Sequence, residues 1–357
     1  MRDPIPHKME STTAKGTIIV TGANGGLGSA ITKEIASKPE FSAYHGLYLV
    51  RDATHADVLH SVLTTSSRHP HEALSIDLAN LGSVRKAAEA INLRVLEGKI
   101  PQIRALILNA GFQDFNKQTW TKDGFDTTFS VNYLGHWLLT LLLLKSIDRN
   151  AGRIVIVGSQ AHDPNDRRNG RSKAFIDDKY NPIIRDKDNF EAIAKGTWSS
   201  AIEDTSWGRS GFRRYGAAKL CLTMMMHELQ HRMNGDPQLK NVCILGVDPG
   251  TMSTGLQRHA SWFIRVLMFR IVLPLMLLLM SNPPFRSTQK SASHILQAAF
   301  DSNEVLGEYP KDLYLNGDEL WETSEESRDA QKRELVWKES VRYTQLKEGE
   351  TILASWD

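Results

Sequence analysis

Residues Thr17 to Gly28 read T-I-I-V-T-G-A-N-G-G-L-G, and a helix-period stretch from Ser29 to Ser37 follows at once. The run Thr17 to Val20 predicts a buried strand, being short, mostly apolar and closed by turn residues. Gly22, Gly26 and Gly28 permit a tight turn and close backbone approach. The helix that begins there offers unpaired N–H groups and the positive end of its dipole, a seat suited to a pyrophosphate. A glycine triplet alone is weak evidence, but strand, turn and helix in this order argue for a nucleotide-binding unit.

The same alternation continues outward. Gly46 to Val50, Leu74 to Ile76, Ala105 to Leu108, Arg153 to Val157 and Val242 to Val247 read as further buried strands. Between them Ser83 to Glu97, Gly124 to Ser146 and Tyr215 to Met233 are each long enough for a crossover helix. Strands alternating with helices predict an α/β fold, a single Rossmann-type doubly wound parallel sheet with helices on both faces. Two stretches break the rhythm. Asp163 to Arg214 is dense in both charge signs without sustained periodicity and forms a long insertion before the Tyr215 helix, and loops that long are functional or mobile. From Gly317 to Asp357 the chain is polar and acidic, with a helix expected around Glu326 to Arg342.

Composition narrows the function classes. In 357 residues, Lys+Arg 43 against Asp+Glu 41 leaves a formal charge of +2, which excludes nucleic-acid binding by bulk charge. Two cysteines, Cys221 and Cys243, both inside apolar stretches, predict a reducing compartment and no disulfide framework. No apolar run precedes Thr17, so no secretory signal is read, and a cytoplasmic location is expected. The apolar segment Trp262 to Met280 carries Arg265, Arg270 and Pro274, and each Arg at mid-bilayer costs roughly 2.5–3.5 kcal/mol. It is read as a pocket wall or as a segment lying on a membrane, not as a span.

Several motifs then occur in a fixed order. T-G-A-N-G-G-L-G is followed by Asp77 in S-I-D-L-A-N, by Asn109-Ala110-Gly111, by Asn132 in S-V-N-Y-L-G-H-W and by Ser159 in I-V-I-V-G-S-Q-A-H. Tyr215 and Lys219 form Y-G-A-A-K, and D-P-G-T-M-S-T runs from Asp248 to Thr254. This ordered set resembles the short-chain dehydrogenase/reductase family, and the region beyond Gly250 and the tail look similar to its retinol-dehydrogenase-like branch and to short-chain reductases of fungal secondary metabolism. The resemblance implies Asn132, Ser159, Tyr215 and Lys219 as catalytic residues, with Asn132 holding a water that links Lys219 to solvent. It implies Gly22, Asn24, Gly26, Leu27, Gly28, Arg51, Asp77, Asn109, Tyr215, Lys219, Pro249, Gly250 and Thr254 as cofactor-binding residues.

The chemistry gives Tyr215 and Lys219 a reason to share a helix. Hydride transfer at a carbonyl carbon leaves an oxygen that must gain or lose a proton, and four-residue spacing puts both side chains on one face. A phenol titrates near ~10, and a nearby ammonium is expected to favour its anion and bring it toward working pH. Ser159 would hydrogen-bond the substrate oxygen beside Tyr215, the general acid/base. The spacing recurs at Tyr343 and Lys347, which are read as a solvated helix face. At the end of the second strand, Arg51 is a fork suited to a 2′-phosphate and favours NADP(H) over NAD(H). Asp52 is the counter-argument, lying near the offset of a ribose-binding acid.

One rival motif stands apart. His227-Glu228-Leu229-Gln230-His231 spells H-E-x-x-H, a zinc-protease signature. No third histidine follows at the usual spacing, and the motif shares a helix with Tyr215, so the histidines are read as surface or satisfied groups and no metal is expected. The expected organisation is a flexible N-terminus at 1–14, a dehydrogenase domain at 15–316 with the 163–214 insertion and a 255–290 substrate lid, and a 317–357 extension. The expected function is an NADP(H)-dependent oxidoreductase interconverting a ketone or aldehyde and an alcohol on a lipophilic terpenoid, polyketide, sterol or retinoid-like molecule. A zinc metalloprotease and a catalytically silent NADPH-binding protein are the alternatives. Expected partners are the small-molecule substrate, a membrane surface touched peripherally and a second copy as homodimer, with no nucleic acid.

Overall fold

β1 (Thr17–Thr21) is buried at every residue and sits mid-sheet, as a run of β-branched side chains requires when helices cover both faces. In this computed structural model the described residues are 14–64, 69–115, 117–204, 208–252 and 285–357. The expected flexible N-terminus to residue 13, Thr254 and the Trp262 to Met280 segment lie outside them. Around β1 lie β2 (His45–Val50), β3 (His71–Ser75), β4 (Ile103–Leu108), β5 (Arg153–Val157), β6 (Cys243–Asp248), β7 (Tyr314–Asn316) and β8 (Glu319–Leu320). Their order is β3-β2-β1-β4-β5-β6-β7-β8. All neighbours pair in parallel except β7 and β8, which are antiparallel. The order reverses direction at β1, so a crevice opens between the C-terminal ends of β1 and β4, where doubly wound sheets bind ligands.

The helices divide between the faces. α1 (Gly26–Ser37), α2 (Asp57–Leu63) and the later helix Thr288–Phe300 cover one side. α3 (Leu81–Leu96), α4 (Thr127–Phe129), α5 (Gly135–Leu143), α6 (Lys187–Lys195) and α7 (Arg209–Asn234) take part in the core of the other. α5 is buried at every residue because a further layer lies outside it. That layer is the chain's own C-terminal extension. Helix Ala330–Thr344 is polar on average, yet Val336, Trp337, Ser340, Tyr343 and Thr344 are buried along one stripe, the i, i+4, i+7 face of an amphipathic helix. Trp337 meets Trp137 edge-on at 5.3 Å between ring centroids.

Two expectations are corrected here. Tyr343 is not on a solvated face: it is buried against Phe125 and Phe190, and its hydroxyl donates to Glu191 at 2.9 Å. Lys347 lies beyond the end of that helix and is exposed. The charged insertion is also more ordered than its lack of periodicity suggested. Asp186 caps α6 by accepting the Asn189 N–H at 2.8 Å, and Phe175, Tyr180, Ile183, Ile184 and Phe190 are buried in the core. The Ile183 and Ile184 N–H groups donate to the Glu326 carboxylate at 3.0 and 2.7 Å, so insertion and extension hold each other. Among the described residues no helix is long and apolar enough to cross a membrane.

Candidate active site

The crevice is built first by glycine. Gly22 has φ 67°, and a Cβ there would lie 2.8 Å from the Ala110 Cα. A Cβ on Gly28 would lie 2.2 Å from the Gly22 carbonyl oxygen and 2.8 Å from Asn109 Nδ2. Only a bare backbone lets the turn, α1 and the end of β4 approach this closely. α1 begins at exposed Gly26 with no side-chain cap and no acidic residue in its first turn. The start of such a helix offers uncapped N–H groups, the arrangement that receives a phosphate. Leu27 points its side chain into the core, so only its backbone is available there. Asn24 accepts the Leu59 N–H at 2.9 Å and anchors α2.

The switch point is braced by side chains. Thr21 Oγ1 accepts the N–H groups of Asn109 and Ala110, each at 2.9 Å, and lies 2.9 Å from His136 Nε2. Asn109 Nδ2 donates to the Thr21 carbonyl at 2.8 Å. Asn132 sits in a π-helical turn, Ser130–Leu134, joining α4 to α5. Such turns add a residue to the helix and recur at functional sites. Asn132 Nδ2 donates to the carbonyls of Phe112 and Thr128 at 2.6 and 2.8 Å, and its Oδ1 accepts the Phe112 N–H at 3.2 Å. Its side chain is therefore committed to the backbone and holds the loop segment at Phe112, after Asn109.

Ser159, Tyr215 and Lys219 converge at the C-terminal end of β5. Lys219 is 2% exposed, donates to the Val157 carbonyl at 2.8 Å and lies 5.6 Å from the centre of the Tyr215 ring. Burial pushes the Lys219 ammonium down to about 8, against a small opposing pull from Asp248. Burial likewise pushes the Tyr215 phenol up to about 12, with the Ser159 hydrogen bond working the other way and Asp248 adding to the rise. The expectation that Lys219 would bring the phenol toward working pH is thus corrected: the shift runs the other way, and burial sets its direction.

Asp248 closes the far side. It is buried, its Oδ1 accepts the Gly250 N–H at 2.9 Å and its Oδ2 lies 3.1 Å from the Arg168 guanidinium, which the insertion supplies. Asp166 pairs with the same guanidinium at 2.6 Å. The Pro249 carbonyl accepts the Ser291 hydroxyl at 2.7 Å. Thr251 bridges to Phe285, and Arg286 donates to the Asp248 carbonyl at 3.1 Å, so residues 285–286 lie against the Asp248 to Thr251 segment.

Comparison with known proteins now decides the family. Residues 16–168 match the family model described as short chain dehydrogenase. The chain is 43% identical over 366 residues to the short-chain dehydrogenase iccH of Talaromyces variabilis, covering 96% of this chain and 99% of that one. The chain belongs to the short-chain dehydrogenase/reductase family. This dehydrogenase is also 27% identical over 339 residues to retinol dehydrogenase 13 of Mus musculus, with 94% and 86% of the two chains covered. Its fold matches a short chain dehydrogenase of Burkholderia cenocepacia J2315 solved in complex with NADP, with a TM-score of 0.54 at 16% identity over 86% of this chain and 98% of the other.

At the C-terminal end of β2, Arg51 is exposed and makes no hydrogen bond or ion pair among the described residues. Asp52 is turned into its own loop: Oδ1 accepts the Thr54 N–H at 2.9 Å and Oδ2 pairs with His55 at 2.8 Å. Those bonds, Thr54 first, hold its carboxyl well below the ordinary range. Asp77 is half-buried past β3 and accepts the Ala79 N–H at 3.0 Å. The rival H-E-x-x-H residues have other partners. His227 uses Nδ1 toward Asp312 at 2.6 Å and Nε2 toward Thr323 at 2.9 Å, Glu228 pairs with Arg232 at 2.8 Å, and His231 is exposed. Sequence reasoning missed Arg168, Tyr314 and Arg286, whose sequence surroundings carry no motif. It also missed His136, whose only signal was its four-residue offset from Asn132.

Proposed function

We propose that this oxidoreductase uses NADP(H) to interconvert a ketone or aldehyde and an alcohol on a lipophilic molecule. The observation that carries the reading is the convergence of Ser159, Tyr215 and Lys219 beside the glycine cradle. A nicotinamide dinucleotide bound there supplies or accepts the hydride. Gly22, Gly26, the Leu27 backbone and Gly28 would hold its pyrophosphate; Asp77, Asn109, Pro249, Gly250 and Thr254 would line its two ends, and Asn24 would fix the α2 start beside the cradle. Arg51, without a partner among the described residues where Asp52 has two, supports a 2′-phosphate and so NADP(H).

Tyr215 donates its phenolic proton to the carbonyl oxygen in the reductive direction, while the Ser159 hydroxyl hydrogen-bonds the same oxygen and keeps it against the phenol. A phenol near 12 is protonated at neutral pH and so holds the proton that reduction requires. Lys219 keeps a positive charge beside Tyr215 and steadies the phenolate left behind. Asn132 holds residues 111–112 in place under the reacting centre. The lipophilic substrate class is supported by the apolar Trp262 to Met280 segment and by the relative whose name states retinol; a terpenoid, polyketide, sterol or retinoid-like compound in secondary-metabolite biosynthesis fits it.

The test follows NADPH absorbance with a panel of lipophilic ketones and aldehydes. A substrate turned over by the wild type should be turned over roughly 10²–10⁴-fold more slowly by Tyr215→Phe, with NADPH affinity changed less than twofold. Retention of more than a tenth of the wild-type kcat would place the proton donor elsewhere.

A further inference from the structure

The Ser159 backbone is gripped on both sides by groups that the reaction itself does not use. Its N–H donates to the Tyr314 hydroxyl at 3.1 Å, and its carbonyl accepts His162 Nδ1 at 2.6 Å. His162 Nε2 in turn accepts the Ser324 N–H at 3.2 Å. The partners settle the tautomer: Nδ1 must carry the hydrogen it gives to a carbonyl, and Nε2 must be bare to receive one from an amide. His162 is 1% exposed and Tyr314 3% exposed, and the two rings lie 5.2 Å apart, packed on each other. Burial depresses the His162 imidazolium, which agrees with a neutral ring.

The sheet is cut to admit this arrangement. Tyr314 on β7 is in register with Gly246 on β6, where a Cβ would lie 2.5 Å from the Tyr314 ring. A Cβ on Gly158, the residue before Ser159, would lie 2.2 Å from the Tyr314 hydroxyl. One glycine on β6 and one just past the end of β5 thus open a slot through which one phenol reaches the backbone of the serine. Tyr314 and Ser324 both belong to the chain beyond β6, far from Ser159 in sequence. Ser324 is itself fixed, capping the turn Glu325–Arg328 by accepting the Ser327 N–H.

We propose that Tyr314 and His162 are positioning residues that clamp the Ser159 backbone and make the placement of its hydroxyl depend on the segment from β7 to Ser324. The proposal rests on the role given to Ser159 above. The Ser159 carbonyl also accepts the His162 N–H at 3.1 Å and its hydroxyl the Ala161 N–H at 3.2 Å, so losing either grip loosens Ser159 without releasing it, and small misplacements beside Tyr215 are costly to rate.

Two measurements separate this proposal from the reading beneath it. The first needs no substrate: amide hydrogen exchange at Ser159 in the intact chain should speed up at least tenfold in Tyr314→Phe, which deletes only the acceptor, while Ile156 and Leu245 keep their protection. Unchanged exchange at Ser159 overturns the clamp. The second uses NADPH-dependent reduction of 9,10-phenanthrenequinone as probe. Tyr314→Phe and His162→Leu should each lower kcat about tenfold with the KM for NADPH unchanged, and His162→Asn, whose amide can still donate to the Ser159 carbonyl, should recover part of the loss. In a Ser159→Ala background Tyr314→Phe should have no further effect, because its action passes through the serine. Losses that multiply in the double variant overturn the clamp even if each single variant is impaired. A Ser159→Ala enzyme as fast as wild type instead overturns the role assigned to Ser159, and the exchange result then still decides whether the backbone is held.

Discussion

Lys219 is expected to cost the fold stability at neutral pH. Its ammonium is held at about 8 inside the protein against the ordinary 10.5, a difference worth about 3 kcal/mol. The sign follows from proton binding. Below about 8 both folded and unfolded chains carry the proton and the full penalty applies; between about 8 and 10.5 the unfolded chain binds more protons than the folded one, so stability rises with pH; above 10.5 the penalty is gone. Lys219→Met replaces the stem with one of similar length and no charge but leaves the Val157 carbonyl without its donor, which returns about 1 kcal/mol. The variant should therefore be about 2 kcal/mol more stable than wild type in urea unfolding at pH 7, in the absence of cofactor. That advantage should shrink as the buffer is taken from pH 8 toward 10, while carbonyl reduction is lost at every pH. A variant less stable than wild type at pH 7, or an advantage that does not change with pH, would show that the ammonium is not desolvated at this position.

Three further outcomes are expected. Arg51→Ala should raise the Kd for NADPH about tenfold and leave NADH within twofold, measured by nicotinamide fluorescence; equal losses for both would assign the side chain to packing and return attention to Asp52. Gly28→Ala must drive a methyl group to 2.2 Å from the Gly22 carbonyl, so dinucleotide binding should fall below detection even where the far-UV spectrum is unchanged, and affinity within threefold of wild type would refute the cradle. Trp337→Ala empties a site that is 1% exposed and removes an N–H donated to the Trp356 carbonyl at 2.8 Å, so unfolding should cost roughly 3–5 kcal/mol less, and a change under about 1 kcal/mol would mean that the extension is not part of the core.

The sheet was legible because its strands are covered on both faces. Such strands read as short continuous apolar runs, and β1, β2, β4, β5 and β6 all fall on runs recognised from the sequence. β7 escaped because three residues, Tyr314-Leu315-Asn316, carry no period, and their strand character comes from pairing with β6. The helix of the extension was expected around Glu326 to Arg342, but its burial escaped: averaging over Gly317 to Asp357 hides the buried stripe of helix Ala330–Thr344, which only the spacing of Val336, Trp337, Ser340, Tyr343 and Thr344 reveals. Motif spacing brought Ser159, Tyr215 and Lys219 to one place on the page before the structure did. What spacing could not convey was solvent exclusion, the largest cause of the Tyr215 shift.

Apart from His136 on α5, the missed residues share a physical origin that bears on how this site works. Each predicted group sits on a strand end or helix face that local sequence can describe, whereas Tyr314, Ser324 and Arg168 act by reaching across from chain segments with no period of their own. Arg168 brings a cation to Asp248 from the insertion, and the insertion is in turn held by Glu326 of the extension through the N–H groups of Ile183 and Ile184. The two segments that look most dispensable by composition therefore meet at the end of the sheet, one beside Asp248 and the other at the Ser159 backbone. A site assembled this way couples the ordering of the serine to the packing of the C-terminal layer, so a cut that removes Trp337 and its helix should disturb catalysis as well as stability, even though no atom of that helix belongs to the Ser159, Tyr215 and Lys219 constellation.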